Sequence, residues 1–417
     1  RQNSTIHTLH DVVMSGLACM YFQEPSLLQF QKEMEKKIHQ NNLRTLFGVQ
    51  TIPSSNTMKD ILDDLDNQYF QPIFKNIVQR LQRGNQLKQF NLFPGWTICS
   101  IDGTQYYSST SIHCHHCLNR KHGDNPTVYY HTALQAALMH PDVKQVIPVM
   151  AEPIQNSDGT SKQDCETNAA KRLIPLLRQQ FPKMGLIITG DDLFSRQPMI
   201  TAVSDCNFHF FFVAKPLSHK YMMKWLVGQT LNEIKHVDAK GRHIIYQWFN
   251  NVPLNGNQDS INVNYFCKKM ITFDHNGKQK SCRTYSWVTD LEITEENVIL
   301  FTQGARSRWK IENECFNNLK NQGYHLTHNY GHGEKHLSFN FYLLTLLAFT
   351  LHQISELCDN SFRACRKMAG SKRSLWEKFR TFITLCIFNN LEQVYNFYLD
   401  PEGYDIINGY VVERASP

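Results

Sequence analysis

Apolar positions in the first 93 residues recur every three to four residues. "TLHDVVMSGLACMYF" shows this spacing and "NTMKDILDDLDNQYFQPIFKNIVQRLQR" repeats it, which is the period of an amphipathic helix. The second stretch follows "IPSSN", where Pro53 supplies a stop and Ser54 to Asn56 a cap. Residues 1–93 are therefore expected to be helical. At Trp96 the pattern changes. "WTICSIDGTQYYSS", "TVYYHTAL" and "QVIPVMAEP" read as strands, the first apolar run ending on Asp102-Gly103. "KQDCETNAAKRLIPLLRQQFP" predicts a helix of about five turns. "MGLIITGDDLFS" is a short apolar run that breaks at Gly190 and delivers Asp191 and Asp192, and "NFHFFFVAKP" is another buried strand. Strands alternating with a long crossover helix predict a mixed α/β sheet over 94–217.

Residues 218–298 carry further strand-like runs and form an expected β-rich insertion. Within it "DHNGK" predicts a hairpin turn, since Asn276-Gly277 suits a type I′ loop. Residues 299–356 return to the α/β core, and 357–417 are expected to be helical. "RSRWKIENECFNNLKNQ" (306–322) predicts a helix with an apolar seam of Trp309, Ile311, Phe316 and Leu319. "HLSFNFYLLTLLAFTLHQI" (336–354) is long and apolar, but Ser338, Asn340 and Thr345 interrupt it. It falls short of about 18 uninterrupted apolar residues and is expected to be a buried helix rather than a membrane span.

Composition changes this picture little. The chain has 417 residues, 41% hydrophobic and 19% charged, which suits a globular protein with a sizeable core. A net charge of +6 permits nucleic acid as a partner without requiring it. Twelve cysteines scattered over so long a chain predict reduced thiols and a cytoplasmic setting, not a disulfide scaffold. Arg1 opens the chain where Met would be expected, so a processed or truncated form is anticipated, and no signal peptide is visible.

Three acids occupy positions where a mixed sheet presents chemistry. Asp102 ends a strand, Asp191 ends another after a glycine, and Glu312 lies on the helix after the insertion. An isolated Asp of this kind is ordinarily a turn residue, and an isolated Glu half of a helical ion pair. Together, carboxylates from distant strand ends and a helix suit a two-metal phosphoryl-transfer site. Asp192 competes with Asp191, and Glu314 with Glu312.

The segments "SIDGTQ", "ITGDDLFS" and "RWKIENECFNNLK" resemble the DDE transposases of bacterial insertion sequences. The likeness is to the branch whose RNase H-like core is interrupted by a β-strand insertion, and it covers about Trp96 to Ile354. The family signature in the last segment is Tyr, two residues, Arg, three residues, Glu, six residues, Lys. Arg308 and Glu312 match it, Ala305 stands at the Tyr position, and Lys320 falls one place late. The resemblance implies that Asp102, Asp191 and Glu312 hold Mg²⁺, or Mn²⁺ in its stead, as two ions. It implies double-stranded DNA as the partner, both transposon ends and target, with a homodimer on DNA and no membrane. The setting implied is the bacterial nucleoid, with a DNA-binding role open to residues 1–93. A metal nuclease that joins nothing and an inactive transposase-derived DNA-binding protein are the alternatives.

Arg308 would hold a phosphate one helical turn before Glu312, with Lys310 and Lys320 as further DNA contacts; Trp287 reads first as a buried core residue and otherwise as a stacking platform for an unpaired base. The basic segments "KKMITFDHNGKQKSCR" and "RACRKMAGSKR" could track a backbone or be solvated faces. A second constellation is "HCHHCLNRKH". Cys114 and Cys117 form a C-x-x-C, and with His122 and Cys165 they are the candidate ligands of a structural zinc. His332 and His336 are expected to pack a loop.

Overall fold

The computed structural model describes residues 7–156, 163–274, 276 and 278–414. Five helices come first: α1 (Leu9–Tyr21), α2 (Leu27–Met34), α3 (Lys37–Phe47), α4 (Ser55–Asp64) and α5 (Gln71–Arg83). Local chemistry fixes their starts. Thr8 accepts the Asp11 N–H while the Asp11 carboxylate accepts the Thr8 N–H, a reciprocal cap. Ser54 accepts the Thr57 N–H and opens α4, the role "IPSSN" predicts.

The sheet follows: β1 (Asn91–Phe93), β2 (Trp96–Ser109), β3 (Leu118–Arg120), β4 (Val128–Met139) and β5 (Ile147–Ile154). After it come α6 (Glu166–Gln180), β6 (Gly185–Gly190), α7 (Gln197–Asp205) and β7 (His209–Val213). β2, β4 and β5 form an antiparallel meander. β6 and β7 run parallel to β2. The order across the sheet is β5-β4-β2-β6-β7, an RNase H-like core. Leu186 to Thr189 and Phe210 to Phe212 are fully buried, as strands covered on both faces should be. The crossover helix starts at Glu166 with Cys165 as its cap, so it has 15 residues and about four turns instead of five.

The insertion contributes α8 (Lys220–Val227), β8 (Asn232–Val237), β9 (His243–Pro253), β10 (Asn262–Phe273) and β11 (Gln279–Thr289). β11 pairs antiparallel with β7 through Trp287–Val213 and Val288–Phe212. The insertion therefore continues the core sheet, which reaches eleven strands. The type I′ turn expected at Asn276-Gly277 lies outside the described residues at Gly277. At its base the Asp274 N–H donates to the Lys278 carbonyl at 2.9 Å.

Next come α9 (Val298–Arg306), a π-helical segment (Ile311–Phe316), α10 (Asn317–Asn321) and α11 (Leu337–Cys358). The chain ends with α12 (Asn360–Ala369), α13 (Lys372–Leu385), α14 (Leu391–Leu399) and a hairpin of β12 (Tyr404–Ile407) and β13 (Tyr410–Glu413). The C-terminal region is thus mostly helical but not wholly so. α11 is long and apolar enough to cross a membrane by length and composition, yet 83% of its apolar window is buried inside the protein. Its polar side chains explain why it interrupts its own apolar run. Asn340 Nδ2 donates to the Leu62 and Leu65 carbonyls at the end of α4, both at 2.7 Å. Tyr342 donates to Gln135 Oε1 at 2.9 Å, and Gln135 Nε2 donates on to the Met150 carbonyl of β5 at 2.8 Å. One helix thereby ties the N-terminal helices to the sheet.

Asn340→Leu should leave two buried carbonyls unpaired and cost about 1–3 kcal/mol. Urea unfolding should show a lower midpoint with an unchanged slope.

Candidate active site

The parallel ladder between β2 and β6 pairs Ser100 with Thr189. Asp102 and Asp191 each lie two residues further on, Asp102 still within β2 and Asp191 just past the end of β6, on neighbouring strands of the sheet. Arg308 stands at the break between α9 and the π-helical segment and reaches back to the sheet. Its Nη1 donates to Asp102 Oδ2 at 3.1 Å and its Nη2 to Glu312 Oε1 at 2.8 Å. One guanidinium spans two carboxylates that are 210 residues apart in sequence.

The competing acids are turned elsewhere. Asp192 binds the Lys215 ammonium and accepts the Ser218 hydroxyl, each at 2.5 Å. Asp191 faces Glu166, and its Oδ1 accepts only a local N–H, that of Leu193, at 2.9 Å. Glu314 lies toward Lys310, whereas Glu312 is the acid whose charge reaches Asp102.

A fourth acid, Glu166, escapes the sequence reading. It is the first residue of α6, and a Cβ on Gly103 would sit 1.9 Å from its Oε1. The glycine after Asp102 is what lets this carboxylate close on the strand. Asp102 does not end its strand as expected, since β2 continues to Ser109 through pairing with β4; a Gly directly following the Asp that closes the apolar run is the available signal, but nothing in the sequence names its partner. Burial, then the charge of Asp191, pushes the Glu166 carboxyl up. Burial also lifts Asp102; Arg308 opposes this, Glu312 and Glu166 add to it, and the carboxyl reaches about 7. Arg308 pairs with two of these acids, Asp102 and Glu312, while Glu166 lies near Asp102 and Asp191 and the Lys215 charge faces Asp191. An all-oxygen donor set of this kind fits a hard divalent cation such as Mg²⁺ or Mn²⁺.

The basic and aromatic candidates divide. Lys310 is buried, and its ammonium donates to the His140 and Val143 carbonyls at 2.8 and 2.6 Å, so it holds a loop. Trp309 was expected in the apolar seam but is 42% exposed; Ile311, Phe316 and Leu319 are buried, joined by Cys315. Trp287 is buried, stacked on Phe266 with centroids 5.4 Å apart. Trp287 and Trp309, with Lys215, Tyr285, Arg306 and Arg308, line a cavity of about 390 Å³ beside the acids. Arg306 stacks over the Tyr285 ring at 4.1 Å. Ala305 is buried and offers no hydroxyl where a Tyr was expected. Lys320 is half-buried, and burial pulls its ammonium down. In "RACRKMAGSKR" Arg366 and Lys372 both pair with Glu356, at 3.6 and 3.3 Å, so part of that basic run is used internally.

The helix carrying Glu312 is π-helical over Ile311–Phe316. A π-bulge adds one residue to an α-helix without adding to its rotation. Eight residues from Glu312 to Lys320 therefore turn the helix about as far as seven would in a regular α-helix.

Cys114 and Cys117 also converge with imidazoles, but not with the ones expected. Their partners are His131 on β4 and His332 in the loop before α11, all four ligand atoms lying within 4.8 Å of one another. His122 is exposed in a turn, and Cys165 is the exposed cap of α6; neither joins the cluster. His131 carries no local signal, since it sits inside the strand run "TVYYHTAL", and His332 is more than two hundred residues away.

No protein-family model and no curated protein matches the chain. Among solved structures, the NurA nuclease from Sulfolobus solfataricus is similar over 58% of this chain and 86% of its own, with 11% identity and a TM-score of 0.21. A likeness of that size carries no argument about what the protein does.

Two outcomes follow from the charge balance. Asp102 is raised in the folded protein, so its contribution to stability is full below its ordinary value of 3.8 and is lost as pH rises through about 7. The melting temperature of metal-free protein should fall across that window, and Asp102→Asn should flatten the fall. Mg²⁺ should stabilise the wild type more at about pH 8 than at about pH 6, because below 7 it must displace a proton. Separately, Gly103→Ala should push Glu166 aside and weaken that Mg²⁺-induced thermal shift, while metal-free protein remains folded by circular dichroism.

Proposed function

We propose that the protein is a DDE-type transposase that cuts DNA at the ends of a mobile element and joins the freed 3′-OH to a target strand. The observation that carries this reading is the Arg308 fork. It joins an aspartate inside β2, Asp102, to a helical glutamate, Glu312, with Asp191 just past the end of the neighbouring strand β6. The spacing Arg308–Glu312 is that of the motif which the sequence resembles, and the π-helical stretch before Lys320 offsets part of the one-residue lateness of that lysine.

In this reading Asp102, Asp191 and Glu312 would hold Mg²⁺, with Glu166 as a further acidic group. Mg²⁺, when bound, supplies charge stabilisation for the attacking and leaving oxygens. Arg308 orients Glu312 and Asp102 before DNA arrives and offers its guanidinium to the phosphate afterwards. The first step is in-line attack of water on a phosphodiester, breaking the P–O3′ bond and leaving a 3′-OH on the element. In the second step that 3′-OH attacks a target phosphorus and the target's own 3′ oxygen leaves. The cavity beside Arg308 is of a size to accept a base taken out of the helix, with Trp309 and Tyr285 as its stacking walls and Arg306 and Lys215 near the backbone.

A second reading, cleavage without joining, is favoured by Glu166, an acid that the three-carboxylate motif does not include.

The test is a Mg²⁺-dependent assay on DNA duplexes carrying the inverted repeats that flank the gene, scored for nicked and joined products. Joined product supports the transposase, and nicks alone support the nuclease. Asp102→Asn, Asp191→Asn and Glu312→Gln should drop both products to background while gel-shift binding persists. Arg308→Ala should slow the reaction by about 10²–10³-fold. Glu314→Gln should remain active; a dead Glu314→Gln beside an active Glu312→Gln would move the third acid to 314.

A further inference from the structure

We propose that Cys114, Cys117, His131 and His332 form a closed structural zinc centre that clamps the loop after the Glu312 helix to the sheet. The cluster draws on three separate segments. Cys114 and Cys117 flank a tight turn closed by the Cys117 N–H donating to the Cys114 carbonyl at 3.2 Å. His131 comes from β4, and His332 from the loop between α10 and α11.

The distances fit a tetrahedron around one ion. With Zn–S of about 2.3 Å and Zn–N of about 2.05 Å, tetrahedral angles require edges of about 3.8 Å for S···S, about 3.6 Å for S···N and about 3.3 Å for N···N. The two sulfurs stand 3.9 Å apart. Cys114 Sγ is 3.7 Å from His131 Nε2, and Cys117 Sγ is 3.4 Å from both His131 Nε2 and His332 Nε2. The two Nε2 atoms are 3.2 Å apart. A disulfide requires the sulfurs at about 2.05 Å, so the two thiols are not bonded to each other.

The chemistry agrees with the geometry. Two sulfurs and two imidazoles are a donor set that selects zinc over the hard cations suited to the four carboxylates. His332 Nδ1 donates to the Gly333 carbonyl at 2.7 Å, which fixes the tautomer that leaves the Nε2 lone pair facing the cluster. On binding, the two thiols lose their protons and the two thiolate charges cancel those of Zn²⁺. A neutral centre is tolerable at a site where Cys117, His131 and His332 are all buried. Four protein ligands leave no open position, so the role is structural.

The consequence is mechanical. The loop carrying His332 is already tied to α4, because the Asp63 carboxylate accepts the N–H groups of Glu334, Lys335, His336 and Leu337. Zinc adds the opposite tie, to β4 and the turn after β2. The segment leaving the Glu312 helix is then held at the sheet and at the N-terminal helices together.

Metal analysis of the purified full-length chain should give one zinc per chain, released to a chromogenic chelator as the thiols are titrated with a mercurial. Co²⁺ exchanged into the site should give the intense visible bands and thiolate charge-transfer absorption of a tetrahedral S₂N₂ site. Cys117→Ser and His332→Ala should lose the metal, whereas His332→Cys should retain it with a Co²⁺ spectrum shifted toward S₃N. Cys165→Ser and His122→Ala should keep one zinc. Protein that carries no zinc and takes up neither added Zn²⁺ nor Co²⁺ overturns the proposal. So does zinc that survives in Cys117→Ser and His332→Ala. Because these readouts do not involve DNA, they stand or fall independently of the transposase reading.

Discussion

The parallel register of β2 against β6 is the constraint on which the acidic site depends. It is a backbone property, set by Trp96–Ser100 lying beside Gly185–Thr189, and it brings the end of β6 beside the middle of β2, which runs on to Ser109. Two aspartates placed two residues beyond that ladder must then share a neighbourhood, whatever else the chain does. A slip of one residue would send one of them to the other face of the sheet. Everything that follows is an arrangement to tolerate that convergence: Arg308 brought in from α9, Glu312 on a bulged helix, and Glu166 closing over a glycine. Each added acid raises the cost of the others, which is why Asp102 is pushed so far from its usual range.

α11 plays the complementary part. Carboxylates held against one another cannot supply stability, so the rigidity of the site must come from beneath. The buried helix supplies it through apolar packing along its length and directed polar contacts, among them Asn340 to α4 and Tyr342 through Gln135 to β5. The insertion serves the same end by a different route. By pairing β11 with β7 it extends the core sheet, and the cavity lined by Tyr285, Trp287 and Trp309 is carried on the platform that carries the acids.

How much of this was legible in the sequence depended on the range of the interaction. Strands such as "LIIT" and "HFFF", and caps such as Ser54, are local, and their residues announce them. Asp102 and Asp191 stood out because each ends an apolar run. Glu166 did not, since a Glu in the first turn of a helix is commonplace and its partner Gly103 lies 63 residues earlier. His131 and His332 were hidden for the same reason: the ligands of one cluster come from a turn, a strand interior and a loop 201 residues beyond that strand. Lys310 misled in the opposite direction. Its charge suggested solvent or DNA, but it sits beside two loop carbonyls that a buried ammonium satisfies. Trp309 misled too, because a helical period counted through the π-helical stretch assigns the wrong residues to the buried side.

That π-helical stretch has a wider meaning. A spacing such as Glu-x₆-Lys is a proxy: what a bound phosphate senses is the bearing of two side chains around an axis, and residues are only the unit in which the bearing is usually counted. Ile311–Phe316 changes the exchange rate between the two, since one residue is absorbed without turning the helix. A pattern written in residues and a pattern written in degrees then no longer count the same distance along the helix. For a helix that bears function, a single-residue insertion can therefore be silent in space and conspicuous in sequence, and the bulge is the scar that reconciles them.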